Sequence, residues 1–219
     1  MPIPPARSPP STPPAPRPCA PTIARRSPAV WRSCWTRWGV DRRALAGGLA
    51  IDRGMEALRA AGVRRAVIDL GGEFAVLGSG PVGRRWSVGL PNPFHPGEVY
   101  AALQLDRGAV ATVAVREDSA RAVASVAVLA PSSALAAGLA RAFEATTPEA
   151  GCRLAARYGV QAVWVRVPGA EDADEDRDAD DGVDPELVVI TDGLVPHLEL
   201  LSEEPATERP TRCSALLRR

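Results

Sequence analysis

Apolar and polar positions alternate along this chain in two periods. Over residues 43–61 the period is helical: Leu45, Leu49, Ile51, Met55 and Leu58 form one stripe, and Gly62 closes it as a carboxyl-terminal cap. Asp41 and Asp52 read as charges at the start and on the surface of that helix. The period then shortens to that of strands. RRAVIDL (64–70), FAVLG, RRWSVGL, VYAALQL, AVATVAV and AVASVAVLA (122–130) are short β-rich runs bounded by Gly, Pro and Asn. Two helices follow. Residues 132–145 are alanine-rich, and 148–158 open on Pro148-Glu149 and stop at Gly159. QAVWVRV (161–167) returns to strand, and ELVVITDGL (186–194) reads as a final strand and turn, with VPHLEL as a short extension. Helix, several strands, two helices and two strands are not a regular βαβ alternation. The order predicts an α+β domain with a mainly antiparallel sheet and packed helices.

The ends of the chain differ from this middle. Residues 1–30 hold half of the 22 prolines, which donate no backbone hydrogen bond and push their predecessors to extended conformations. With few large apolar side chains, residues 1–38 are expected as a disordered Pro/Arg-rich segment, although Trp31, Trp35 and Trp38 sit at helical spacing near its end. The domain is expected over 39–203 and a flexible tail over 204–219. Within the domain, residues 170–184 are strongly acidic and read as a solvated loop, since DADEDRDADDG lacks the alternating ligands of a calcium loop.

Charge and composition narrow the function. The 219 residues carry 26 basic and 26 acidic side chains, a formal net charge of zero, which argues against a nucleic-acid-coating protein. Every basic residue apart from the histidines His95 and His197 is an arginine. Schiff-base, P-loop and Ser-Lys chemistries therefore have no lysine to use. No run is long and apolar enough to span a membrane, and no export signal is readable, so a cytoplasmic location is expected. Cys19, Cys34, Cys152 and Cys213 lack metal-ligand spacing and read as unpaired thiols in a reducing compartment, Cys152 as a small core residue.

Several segments, taken in order, resemble the FAD:protein FMN transferase family, also called ApbE. Val40-Asp41-Arg42-Arg43-Ala44-Leu45-Ala46-Gly47-Gly48-Leu49-Ala50-Ile51-Asp52 stands where that family has a run like DLGxIAKGYAVD. Asp69-Leu70-Gly71-Gly72-Glu73 matches its LGG-acid turn, and Trp86-Ser87-Val88-Gly89-Leu90-Pro91 its W-V-P strand. Gly108-Ala109-Val110-Ala111-Thr112 follows at the AVAT run, and the 132–145 helix falls at the ADALATAL helix. The resemblance implies an ApbE-like fold with the amino-terminal part missing. It implies magnesium-dependent transfer of FMN from FAD to a threonine or serine of a target protein, with FAD as substrate and a flavinylated protein as partner. It places cofactor binding at Gly71, Gly72, Glu73, Thr112 and Arg141, and a metal contact at the backbone carbonyl of Ala44. No catalytic residue is assigned. The chain also departs from the pattern: the family lysine falls on Gly47, the helix aspartate and threonine fall on Ala137 and Arg141, and the HIIDPRTG segment has no counterpart. A family member that binds flavin or a partner without transfer, or the product of a disrupted gene, is the alternative expectation.

Overall fold

A computed structural model describes residues 42–114, 123–168, 183–201 and 209–217. The 1–38 segment with its tryptophans, and residues 170–182 of the acidic stretch, lie outside the described residues. Helix α1 (Arg42–Ala60) precedes strands β1 (Ala66–Leu70), β2 (Glu73–Leu77), β3 (Trp86–Pro91), β4 (Val99–Leu105), β5 (Arg107–Ala114) and β6 (Val123–Ala130). Helices α2 (Ser133–Glu144) and α3 (Pro148–Tyr158) come next, then β7 (Gln161–Arg166), β8 (Val188–Ile190), β9 (Leu198–Leu200), β10 (Thr211–Arg212) and α4 (Cys213–Leu216). One seven-stranded sheet runs β1-β2-β5-β6-β7-β8-β10 and a three-stranded sheet runs β3-β4-β9. All pairings are antiparallel except β8 with β10. The fold is α+β with a mainly antiparallel sheet and packed helices.

The pleat of the large sheet divides the core. Successive side chains on a strand point to opposite faces. On β5, Ala111 and Val113 join Val126, Val128 and Trp164 against α2 and α3, and Ala109 joins Ala75 against Ile51 and Met55 of α1. Val110, between them, turns the other way and packs with Leu90 and Leu103 of the small sheet. The molecule is therefore layered: helices, large sheet, small sheet. Alanine and valine dominate both faces, which suits a chain with only 5% aromatic residues. The largest buried side chains, Trp164 and Phe143, meet under the helices with ring centroids 5.5 Å apart. A Cβ on Gly151 of α3 would lie 2.5 Å from Trp164 Cζ2, so a glycine there lets the helix close on the indole.

Side chains cap two helix starts, and the expected glycine ends α3. Ser132 Oγ accepts from the amide of Leu135 at the start of α2, and Thr147 Oγ1 accepts from Ala150 at the start of α3. Gly159 ends α3 in the left-handed region at φ 66°.

The cysteine expectation is corrected. Cys152 of α3 and Cys213 of α4, both buried, form a disulfide with a Cα–Cα distance of 5.7 Å. Residues 61 apart in sequence carried no spacing signal, and only tertiary packing brings them together. One of its two cysteines, Cys213, lies in the segment expected as a flexible tail. There, at 209–217, β10 adds to the edge of β8, and Asp192 takes hydrogen bonds from the amide of Ser214 at 3.2 Å and from its hydroxyl at 2.6 Å.

Candidate functional site

The residues singled out by the resemblance gather around the turn between β1 and β2. Leu70 pairs with Glu73, so Gly71 and Gly72 form a two-residue hairpin loop. Both have positive φ, 60° and 95°, which only glycine adopts without strain. The amide of Thr112 on β5 donates to the carbonyl of Gly72 at 3.1 Å, which fixes the turn against the sheet. The backbones of Gly71, Gly72, Glu73 and Thr112 are thus brought together.

Their side chains are not. Glu73 pairs with Ala111 and shares its face, under the helices. Thr112 pairs with Ala127 and turns toward the small-sheet side. Glu73 Oε2 and Thr112 Oγ1 are both buried without a hydrogen-bond partner, one on each face of the sheet. Either orphaned oxygen leaves a polar group unsatisfied, and such groups mark strained or functional positions.

Glu73 folds over the backbone of α1. An added Cβ on Gly47 would sit 2.7 Å from Glu73 Oε2, so the carboxyl occupies the space a side chain at 47 would need. Burial raises the Glu73 pKa above its ordinary carboxylate value; Arg141 opposes the shift and Asp52 reinforces it. Arg141, on the last turn of α2, is exposed and donates to Glu144 Oε2 at 3.2 Å.

Asp52 has a larger role than a surface charge. Its carboxylate accepts from the amides of Ser133 at 2.7 Å and Ala134 at 3.1 Å, capping α2 from a different helix. With Ser132 on Leu135, the first free amides of α2 are taken, so this helix start is not an open anion site. Gly48 makes the approach feasible, since a Cβ there would lie 2.6 Å from the Ser133 carbonyl. The visible signals were the glycine pair one turn before Asp52 and the Ser132-Ser133 pair opening α2. Nothing in sequence joined the two.

The metal expectation finds no matching donors. Ala44 lies in the first turn of α1, where the helix ladder engages its carbonyl. Ala137 is a buried methyl in the core under the sheet, and Arg141 presents a cation. Magnesium takes hard oxygen ligands, and among the described residues no group of three or more His, Cys, Asp or Glu could hold a metal ion. The residues present at 137 and 141 do not fit the ion.

The model of the ApbE family matches residues 35–122. Among solved structures, the apo flavinyl transferase ApbE of Pseudomonas stutzeri is 27% identical, covering 59% of this chain and 46% of that one, with a TM-score of 0.50. The flavin transferase ApbE of Vibrio cholerae is 20% identical over 69% of this chain and 50% of that one, TM-score 0.55. The ApbE protein of Thermotoga maritima is 21% identical over 58% and 48%, TM-score 0.51. The last two show the fold alone. The match spans about half the length of each of these structures. No curated protein matches the sequence. The chain is thus similar in sequence, over 35–122, to the ApbE family and in fold to ApbE flavin transferases.

Proposed function

We propose that this chain is a flavin-transferase domain that binds FAD and passes its FMN half to a threonine or serine hydroxyl of a target protein. The observation that carries the proposal is the joint likeness of sequence and fold to flavin transferases: the family match over 35–122 and the 27% identity to the Pseudomonas stutzeri enzyme. In this transfer the target hydroxyl oxygen bonds to the FMN phosphorus, the pyrophosphate P–O bond breaks, and AMP leaves with the bridging oxygen. The hydroxyl proton goes to a base, which no residue here identifies.

The chain's own residues take three parts in the proposed binding. The Gly71-Gly72 turn lets the ligand approach the backbone. Thr112 Oγ1 offers an unused hydrogen-bonding group. Arg141, whose positive charge opposes the rise of the Glu73 pKa, is the cation offered to phosphate charge. Because Glu73 and Thr112 point to opposite faces, a ligand that meets both lies across the end of the sheet at that turn.

A second function class has an observation of its own. Ala137 and Arg141 replace the two side-chain oxygens that the family resemblance places on α2, which favours a domain that binds flavin without transferring it. One experiment separates the two. The full chain is incubated with FAD, magnesium and a protein substrate of the flavinylated kind, and covalent fluorescence is read on a denaturing gel. A flavin titration runs in parallel. Labelling establishes transfer; stoichiometric binding without labelling establishes the binding class; neither refutes both.

A further inference from the structure

Six arginines converge at the end of the sheet opposite the Gly71-Gly72 turn. Arg59 lies in the last turn of α1, Arg64 and Arg65 precede β1, Arg84 and Arg85 precede β3, and Arg107 opens β5; all are exposed. The pairings place them together. Ala66 pairs with Leu77, and Leu77 with Arg107. A Cβ on Gly78, the next residue, would meet the Arg64 carbonyl and Arg65 Cγ. The Arg84 carbonyl accepts from the Gly80 amide at 2.7 Å. Arg59 and Gly108 line one small cleft.

Among the described residues, little at this end answers that charge. Arg107 lies 3.8 Å from Asp106 with both groups exposed, Glu56 is engaged by Arg53 at 2.8 Å, and Arg85 contacts the His197 ring at 3.3 Å. These are surface contacts of small energy. Two residues before Arg84 stands an exposed apolar tip. Val82, in the Pro81–Gly83 turn, is 94% exposed and held at φ 57°, an unfavourable conformation for a β-branched residue.

We propose that the arginine end is a peripheral docking surface for an anionic lipid bilayer, with Val82 entering the interface. Clustered basic residues are drawn to anionic headgroups, and each one held near such a surface multiplies partitioning roughly fivefold. Val82 decides among polyanions: a valine projecting from a basic ring gains from the acyl boundary and gains nothing from a phosphate backbone or an acidic peptide. No described helix is long and apolar enough to cross a membrane, and docking of this kind needs none.

The test is sedimentation of the full chain with vesicles of phosphatidylcholine containing about 30 mol% phosphatidylglycerol, against pure phosphatidylcholine. Binding is expected to the anionic vesicles only, and to fall away at about 0.5 M salt, where screening is short-ranged. The pair Arg84→Glu and Arg85→Glu should lower the partition coefficient at least about twenty-fold, at fivefold or more for each reversal, and Val82→Asp should lower it too. Circular dichroism checks the fold of each variant; Arg64→Glu with Arg65→Glu serves as the second pair should the first unfold. Equal binding to neutral vesicles, no binding, or variants that partition like the parent chain would overturn the proposal. So would tighter binding, at the same salt, to a short DNA duplex or to polyglutamate.

Discussion

Opening the Cys152–Cys213 bond should lower the stability of the domain by several kcal/mol. The bond links residues 61 apart, so in the unfolded chain it closes a long loop. The chain-entropy relation for a loop of that length gives about 4 kcal/mol at room temperature, model-dependent and reduced by any structure the unfolded chain retains. That is a large share of the 5–15 kcal/mol typical of a folded domain. The loss should be uneven. Cys213 is buried beside β10 and α4, whose other attachments include the two-residue pairing with β8, the Ser214–Asp192 hydrogen bonds and the packing of Leu216 on the core. Reduction should therefore free residues 209–217 before the remainder unfolds. Urea denaturation with and without reductant measures the first effect, and hydrogen exchange of the 209–217 amides measures the second. The double variant Cys152→Ala with Cys213→Ala separates loss of the bond from the reductant itself. Thiol titration in denaturant should find two fewer reactive thiols in the unreduced chain than in the reduced one. An equal thiol count, or superimposable unfolding curves, would refute the reasoning.

Three further outcomes follow from contacts in the helical layer. Gly151→Ala should destabilise by about 1–3 kcal/mol, because the new methyl would stand 2.5 Å from the Trp164 ring, and thermal melting reads the loss. Asp52→Ala should cost about 1–2 kcal/mol by leaving the Ser133 and Ala134 amides of α2 without their acceptor, with faster hydrogen exchange at the start of that helix. Glu73→Gln should stabilise the domain at neutral pH. Its folded-state pKa is raised by burial, so the folded form favours the proton and the native carboxylate loses stability as pH rises from the ordinary carboxylate range through the raised value. The advantage of the variant should vanish below that window, and a pH-independent difference in denaturant midpoint would count against it.

Local order was readable because local rules produced it. The 43–61 stripe became α1, Gly159 ended α3, and the strand runs between 64 and 167 fell within a residue or two of their observed bounds, whereas ELVVITDGL is strand only over Val188–Ile190 and VPHLEL only over Leu198–Leu200. The Gly71-Gly72 turn was legible for the same reason, since a paired glycine between two strand patterns has few other uses. Motif order was enough to point to the flavin-transferase family.

What the sequence could not decide were relations between distant residues. Alternation along β5 shows that Ala111 and Thr112 face opposite ways. Only the stacking of helices on one face and the small sheet on the other tells that Glu73 lies beneath α1 while Thr112 does not. The same holds for Asp52 capping α2 across 81 positions, for Cys152 meeting Cys213, and for six scattered arginines meeting at one end. Periodicity and turn chemistry act within a few residues and leave a trace in the sequence. A contact between remote segments is set by the packing of whole elements, to which each residue contributes too little to be read alone.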